Sequence, residues 1–269
     1  MNKKTQNTIN WIALQNLYNK YEVVINNGLT DFSKNAPTPQ YSSIIYQNIL
    51  QRIYFGIRTT EILLKLLNQS YFKFSIAIQL RSSILDSMIA VYLSDFANDD
   101  TILKKQIANL SHQTAKNINT EIEKKCADGL MTADQRGKQF ETLSNIFPGN
   151  FDLNGKKMFN SNYTNIGAYT IVKDYCKSTN TNSGQKKWME ECYELYKHFS
   201  IYEHYNALSK TLLEHELAFD YDLNKFVYSA KFIFDASITC LTAMNDNGKY
   251  IKQIEELILQ WKKLEPSEF

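Results

Sequence analysis

Apolar residues recur at helical spacing along most of the chain, and they do so from its first turns. Between residues 7 and 27, Ile9, Ile12, Leu14, Leu17, Tyr18, Tyr21, Val24 and Ile25 fall at i, i+3, i+4 intervals, the pattern of a helix with one buried face. The pattern stops at Gly28, which is placed to act as a C′ residue. Residues 30–40 hold two prolines and read as a connector. A second helix is expected over 41–69, capped by Ser42 or Ser43. A third, over about 71–98, is apolar almost all round from Ile84 to Leu93, which places it at the centre of a bundle.

The fourth helix, about 99–126, is mostly polar. Its narrow stripe of Ile102, Leu103, Ile107, Leu110, Ile118 and Ile122 predicts that it packs by one edge. A shorter helix follows over 132–146. Residues 147–167 are rich in Asn and Gly and carry no sustained period. Helical signal returns over 168–177, breaks at 178–185 and resumes at Lys186. The last helices are expected over about 223–245 and 250–264. The sum is an all-α chain, read as a single domain 1–269. It is a multi-helix bundle of about eight helices with an irregular, lid-like segment at 147–185.

Composition agrees with long helices. Nine glycines and four prolines among 269 residues are few for a fold built on tight turns. Net charge is +2, from 30 Lys+Arg against 28 Asp+Glu, so the basic excess of a nucleic-acid binder is missing and nucleic acid is not an expected partner. Lys104, Lys105, Lys116, Lys124 and Lys125 are interleaved with Glu121 and Glu123, as on a solvated helix face. The densest apolar stretch, Ser83–Phe96, is interrupted by Asp86 and is short for a membrane span, so no membrane partner is expected. Cys126, Cys176, Cys192 and Cys240 are dispersed, without the paired spacing of a zinc or redox motif. The first residues lack the apolar core of a signal peptide. A reducing cytoplasm with free thiols is the expectation, with no metal and no cofactor.

Chemistry concentrates between Trp188 and Leu208, where His198 and His204 lie near Tyr196, Ser200, Tyr202 and Glu203. On one straight helix the two histidines stand about 240° apart and cannot share a metal. His215-Glu216 is not followed by the second histidine of a zinc protease, and no histidine follows a glutamate at the spacing of a di-iron bundle. Phosphate-binding glycine loops and the nucleophile elbow are absent. The helical ribonucleases of bacterial defence systems place His a few residues after Arg. None of Arg52, Arg58, Arg81 and Arg136 has one there.

What remains is polar residues at apolar positions. Arg81 and Asp86 sit in the most apolar helix, about 140° apart around its axis, so each is expected to pair with a different helix. Tyr196, Ser200 and His204 recur every four residues. Ser200 and Glu203 have the spacing of a capping box, which predicts a break near residue 200. Lys231 and Asp235 are spaced to pair within their own helix.

The arrangement "LRSSILDSMIAVYLSDF", followed far downstream by "KKWMEECYELYKHFSIYEHYN", resembles the DUF5677-type family of bacterial all-helical proteins. In that family an Arg and an acid precede a Tyr-x-x-x-Ser-x-x-x-His pattern. The matching residues are Arg81, Asp86, Tyr196, Ser200 and His204, over roughly residues 41–210. The family usually places Glu one turn after the Arg, where this chain has Leu85. The resemblance implies an all-α fold with a recurring polar cluster.

The leading expectation is a non-enzymatic or small-ligand-binding helical protein, acting in stress or phage defence. Its cluster either holds the fold or binds a small polar ligand through Tyr196, Ser200, His198 and Glu203. The alternative is a hydrolase, foremost a nuclease, with His204 as acid or base, Arg81 as electrostatic stabiliser and Asp86 beside them. A third reading is a homodimeric scaffold, since 17 Tyr and 15 Phe supply interface-favoured residues.

Overall fold

The computed structural model describes residues 3–35, 40–66, 72–152, 158–179, 181–203, 216–246 and 248–264. Among these residues the chain forms nine helices and one two-residue antiparallel strand pair, so the fold is all-α. The helices are α1 (Lys3–Asn35), α2 (Tyr41–Lys65), α3 (Phe72–Ser94), α4 (Asp100–Ala127), α5 (Ala133–Ile146), α6 (Ala168–Lys177), α7 (Ser183–Ser200), α8 (Glu216–Ala243) and α9 (Lys249–Lys262). Strand β1 (Phe151–Asp152) pairs with β2 (Met158–Phe159). The chain divides into two compact units, residues 1–94 with 172–269, and residues 95–171.

In the larger unit α3 packs against α2, α7 and α8, the central position its all-round apolar sequence predicts. Leu80, Ile84 and Met88 are fully buried there, as are Phe226, Phe232 and Phe234 of α8. Each such side chain contributes about 1.5–3 kcal/mol. Buried hydroxyls of α1 find distant partners: Tyr21 bonds the Ser237 hydroxyl at 2.7 Å. The indole of Trp261 donates to the Val227 carbonyl at 2.6 Å, which ties α9 to α8. Both α3 and α8 have the length and composition of a membrane span, and most of each apolar stretch is buried within the protein.

Three local expectations are corrected. Helix α1 runs through Gly28 to Asn35, so residues 30–35 of the expected 30–40 connector are helical. A Cβ on Gly28 would lie 3.4 Å from Leu241 and 3.5 Å from Tyr250, ordinary contact distances, so the glycine neither ends the helix nor is demanded by the packing around it. Helix α2 has Gln40 at its N-cap, without a side-chain bond. Ser43 is instead buried and donates to the Ala243 carbonyl at 3.0 Å. Within the 147–185 segment the helix expected over 168–177 is α6, whereas α7 starts at Ser183, inside the expected break at 178–185.

The smaller unit has its own core of Ala115, Ile122, Phe140 and Phe151, with Phe147 and Phe159 against it. Asp99 caps α4 through the Thr101 and Ile102 amides, and Thr132 and Gln135 form a reciprocal capping box on α5. The described residues of the tract after α5 are held by side chains and backbone carbonyls of α4. Buried Asn150 donates to the Ala108 carbonyl at 2.9 Å and accepts from the Ser111 hydroxyl at 2.7 Å. Asn109 accepts the Thr164 amide at 3.0 Å through its side chain and the Ile166 amide at 3.4 Å through its carbonyl.

Candidate functional site

Helix α7 lies along α3, and its last turns bring four of the sequence-selected residues together. The Arg81 side chain on α3 is 19% exposed. Its Nε donates to the Ser200 hydroxyl at 2.8 Å, its Nη1 to Glu203 Oε1 at 2.8 Å and its Nη2 to the Tyr196 hydroxyl at 2.7 Å. The guanidinium carbon also lies 4.6 Å from the centre of the Tyr196 ring, a cation–π distance. Tyr196 and Ser200 are one helical turn apart on α7, and Glu203 ends the tight turn that follows. The spacing of the three matches the fork of one guanidinium.

The Ser200 hydroxyl does not close the expected capping box. It donates to the Tyr196 carbonyl at 2.7 Å and accepts from Arg81. Helix α7 does end at Ser200, in successive tight turns through Glu203. Glu203 spends its carboxylate on Arg81, at the exposed rim, where an ion pair contributes little. His198 stands on the same helix, with its ring near Phe199 and Tyr202 at 5.5 and 6.0 Å, and makes no bond to Arg81. His204 lies outside the described residues.

Asp86 is not part of this cluster. It accepts from Arg52 of α2 at 2.9 Å, with its own side chain 5% exposed and that of Arg52 68% exposed. Burial pushes its carboxyl up to about 6, against the opposing pull of Arg52. The expected divergence of Arg81 and Asp86 toward different helices is thus realised, and the two share no bond. The lysines of α4 are exposed, and Glu123 of that helix pairs with Arg136 of α5 at 2.6 Å. Lys104 and Lys105 line a shallow depression of about 690 Å³ in the smaller unit, together with Tyr163.

A second locus has one residue that the sequence pattern singled out and one that it did not. In the larger unit a cleft of about 400 Å³ is lined from α3, α6, α7 and α8. Asp235 of α8 forms part of it and accepts from the indole Nε1 of Trp188 at 2.9 Å. Burial raises the Asp235 carboxyl above its ordinary range, opposed by the Trp188 bond and by Lys231 and Lys262. The expected Lys231–Asp235 bond does not form. Lys231 Nζ lies 3.8 Å from Glu191 Oε2 instead, and the Tyr228 hydroxyl donates to the same oxygen at 3.0 Å. The sequence signal was a lone acid in the apolar run "KFIFDASITCL". Its indole partner, 47 positions away, has no local signature.

The two loci differ in chemical capacity. At the first, one side of the chain already satisfies the cation. At the second, a carboxylate that accepts one hydrogen bond, from Trp188, borders open space. No protein-family model, curated protein or solved structure matches the chain.

Proposed function

We propose that this chain is a non-catalytic helical protein that binds a small polar ligand, and that the Arg81 cluster is a clamp that fixes helix register. The observation that carries the reading is the occupancy of Arg81. All three of its nitrogens donate to side chains of α7 and the turn after it, so no reacting group need be supplied to satisfy them. An electrostatic stabiliser for a hydrolytic step must instead aim its donors at the space where charge develops. The ligand-binding part of the reading is supported by the cleft beside Asp235, whose volume lies in the usual range for small-molecule sites. Four cysteines without bridges support a reducing compartment.

The test is paired. Thermal unfolding of the wild type against a panel of small polar molecules should show at least one stabilising ligand. Incubation of the same protein with RNA, DNA and phosphodiesters, with and without divalent metals, should show no turnover. Hydrolysis that disappears in Arg81→Ala, in a variant that remains folded, would replace this reading with the nuclease.

A further inference from the structure

We infer that the cleft beside Asp235 binds a small organic cation, an ammonium or guanidinium compound, with the Asp235 carboxylate as its counter-ion; this deepens the ligand-binding reading above and rests on it. Asp235 is the only formally charged residue among the described residues that line the cleft. Its carboxylate receives one neutral hydrogen bond, from Trp188. The nearest cation on its own helix, Lys231, is engaged elsewhere: it faces Glu191, and its Nζ lies 5.4 Å from the Tyr228 ring and 5.2 Å from the Phe232 ring. A largely buried carboxylate without a bonded cation is held at a cost, and an incoming cation relieves it.

The walls fit the same class of ligand. Trp188 and Tyr175 line the cleft together with Val91, and aromatic and aliphatic walls around one carboxylate favour an organic cation over a hydrated metal ion. The Trp188 ring is braced edge-on against Phe232, with centroids 5.3 Å apart, so indole and carboxylate are positioned before any ligand arrives. Thr239, one turn beyond Asp235, also lines the cleft. Its hydroxyl donates to the Asp235 carbonyl at 3.3 Å, which leaves its oxygen as an acceptor for an N–H. The start of α7 is at the rim, where an anion would be favoured. There Asn182 and Gln185 already accept each other's backbone amides, and an anion in the cleft would face Asp235.

Calorimetric titration of the full chain with choline, agmatine and putrescine, with acetate, inorganic phosphate and glucose as anionic and neutral controls, tests the inference. At least one cation should bind, with affinity falling as NaCl rises. Asp235→Asn should weaken it about tenfold or more, the effect of losing a charged hydrogen-bond partner, without loss of thermal stability. Trp188→Phe keeps an aromatic wall and should weaken binding less. If Asp235→Asn leaves cation binding unchanged, the inference falls. If only phosphate, acetate or glucose binds, and Trp188→Phe alters that binding, the cation falls and the ligand-binding reading survives. If no probe binds at millimolar concentration, and none in the wider thermal panel does, both fall.

Discussion

Arg81 and Asp86, five positions apart on one helix, show opposite ways of managing a charge in a core. Arg81 has neutral and charged partners on a neighbouring helix, so its removal leaves the Tyr196 and Ser200 oxygens without their donor. Arg81→Ala should lower unfolding free energy by about 2–4 kcal/mol, read from urea unfolding. Arg81→Lys should recover little, because an ammonium cannot serve three divergent acceptors. Asp86 has only an exposed arginine, and its carboxyl rises to about 6 from an ordinary 3.8. The folded state therefore holds that proton more tightly than the unfolded chain does. The contribution to stability is fully present below pH 3.8 and is lost as pH rises through about 6. The loss is on the order of 3 kcal/mol. Asp86→Asn should flatten that part of the stability–pH curve, and if the curve keeps its slope the buried charge is not its source. The pairing of each residue with a different helix was legible from their angular separation alone. The role of Glu203 was not, because the capping box and the Arg81 contact use the same carboxylate and only tertiary structure chooses between them.

At the scale of the helix, close approach is set by small residues. A Cβ built on Gly56 of α2 would stand 2.4 Å from the Ser83 hydroxyl of α3. That hydroxyl is buried and has no hydrogen-bond partner. Gly56→Ala should therefore destabilise the protein by about 1–3 kcal/mol through overpacking, despite the better helix propensity of alanine. Ser83→Ala should be near neutral alone and should restore much of the loss in the double variant, a coupling that a double-mutant cycle in urea measures. Sequence periodicity identified α3 as the central helix because a helix without a polar face has nowhere else to go. It misread Gly28, since glycine ends some helices and is carried inside others, and the chain alone does not distinguish the two. The Trp188–Asp235 contact escaped for a related reason: it joins two helices whose patterns are each complete without it.

At the scale of the molecule, two cores imply two stabilities. Phe140 is fully buried in the smaller unit, with the Phe151 ring 5.5 Å away. Phe140→Ala should cost about 3–5 kcal/mol. Differential scanning calorimetry should show that loss in one component of the unfolding profile, with the component from residues 1–94 and 172–269 retained. A single transition that moves as a whole would mean that the units unfold together. The division was hard to see in the sequence. The smaller core is assembled from the narrow stripe of α4, Phe140 and Leu143 of α5 and aromatic residues of a short strand pair, and only the first of these produces a sustained period.

The tract that follows α5 also bears on how quickly backbone protons leave the protein. Its amides at Asn160, Thr164 and Ile166 are bound by the Asn150 carbonyl and by Asn109. Solvent deuterium should enter these positions slowly, as in a regular helix, although the chain there has almost no regular structure. Asn109→Ala should open Thr164 to exchange first, while the helices of the larger unit keep their protons. The absence of a repeating pattern over residues 158–167 then goes with backbone amides held by two asparagines in place of a helical ladder.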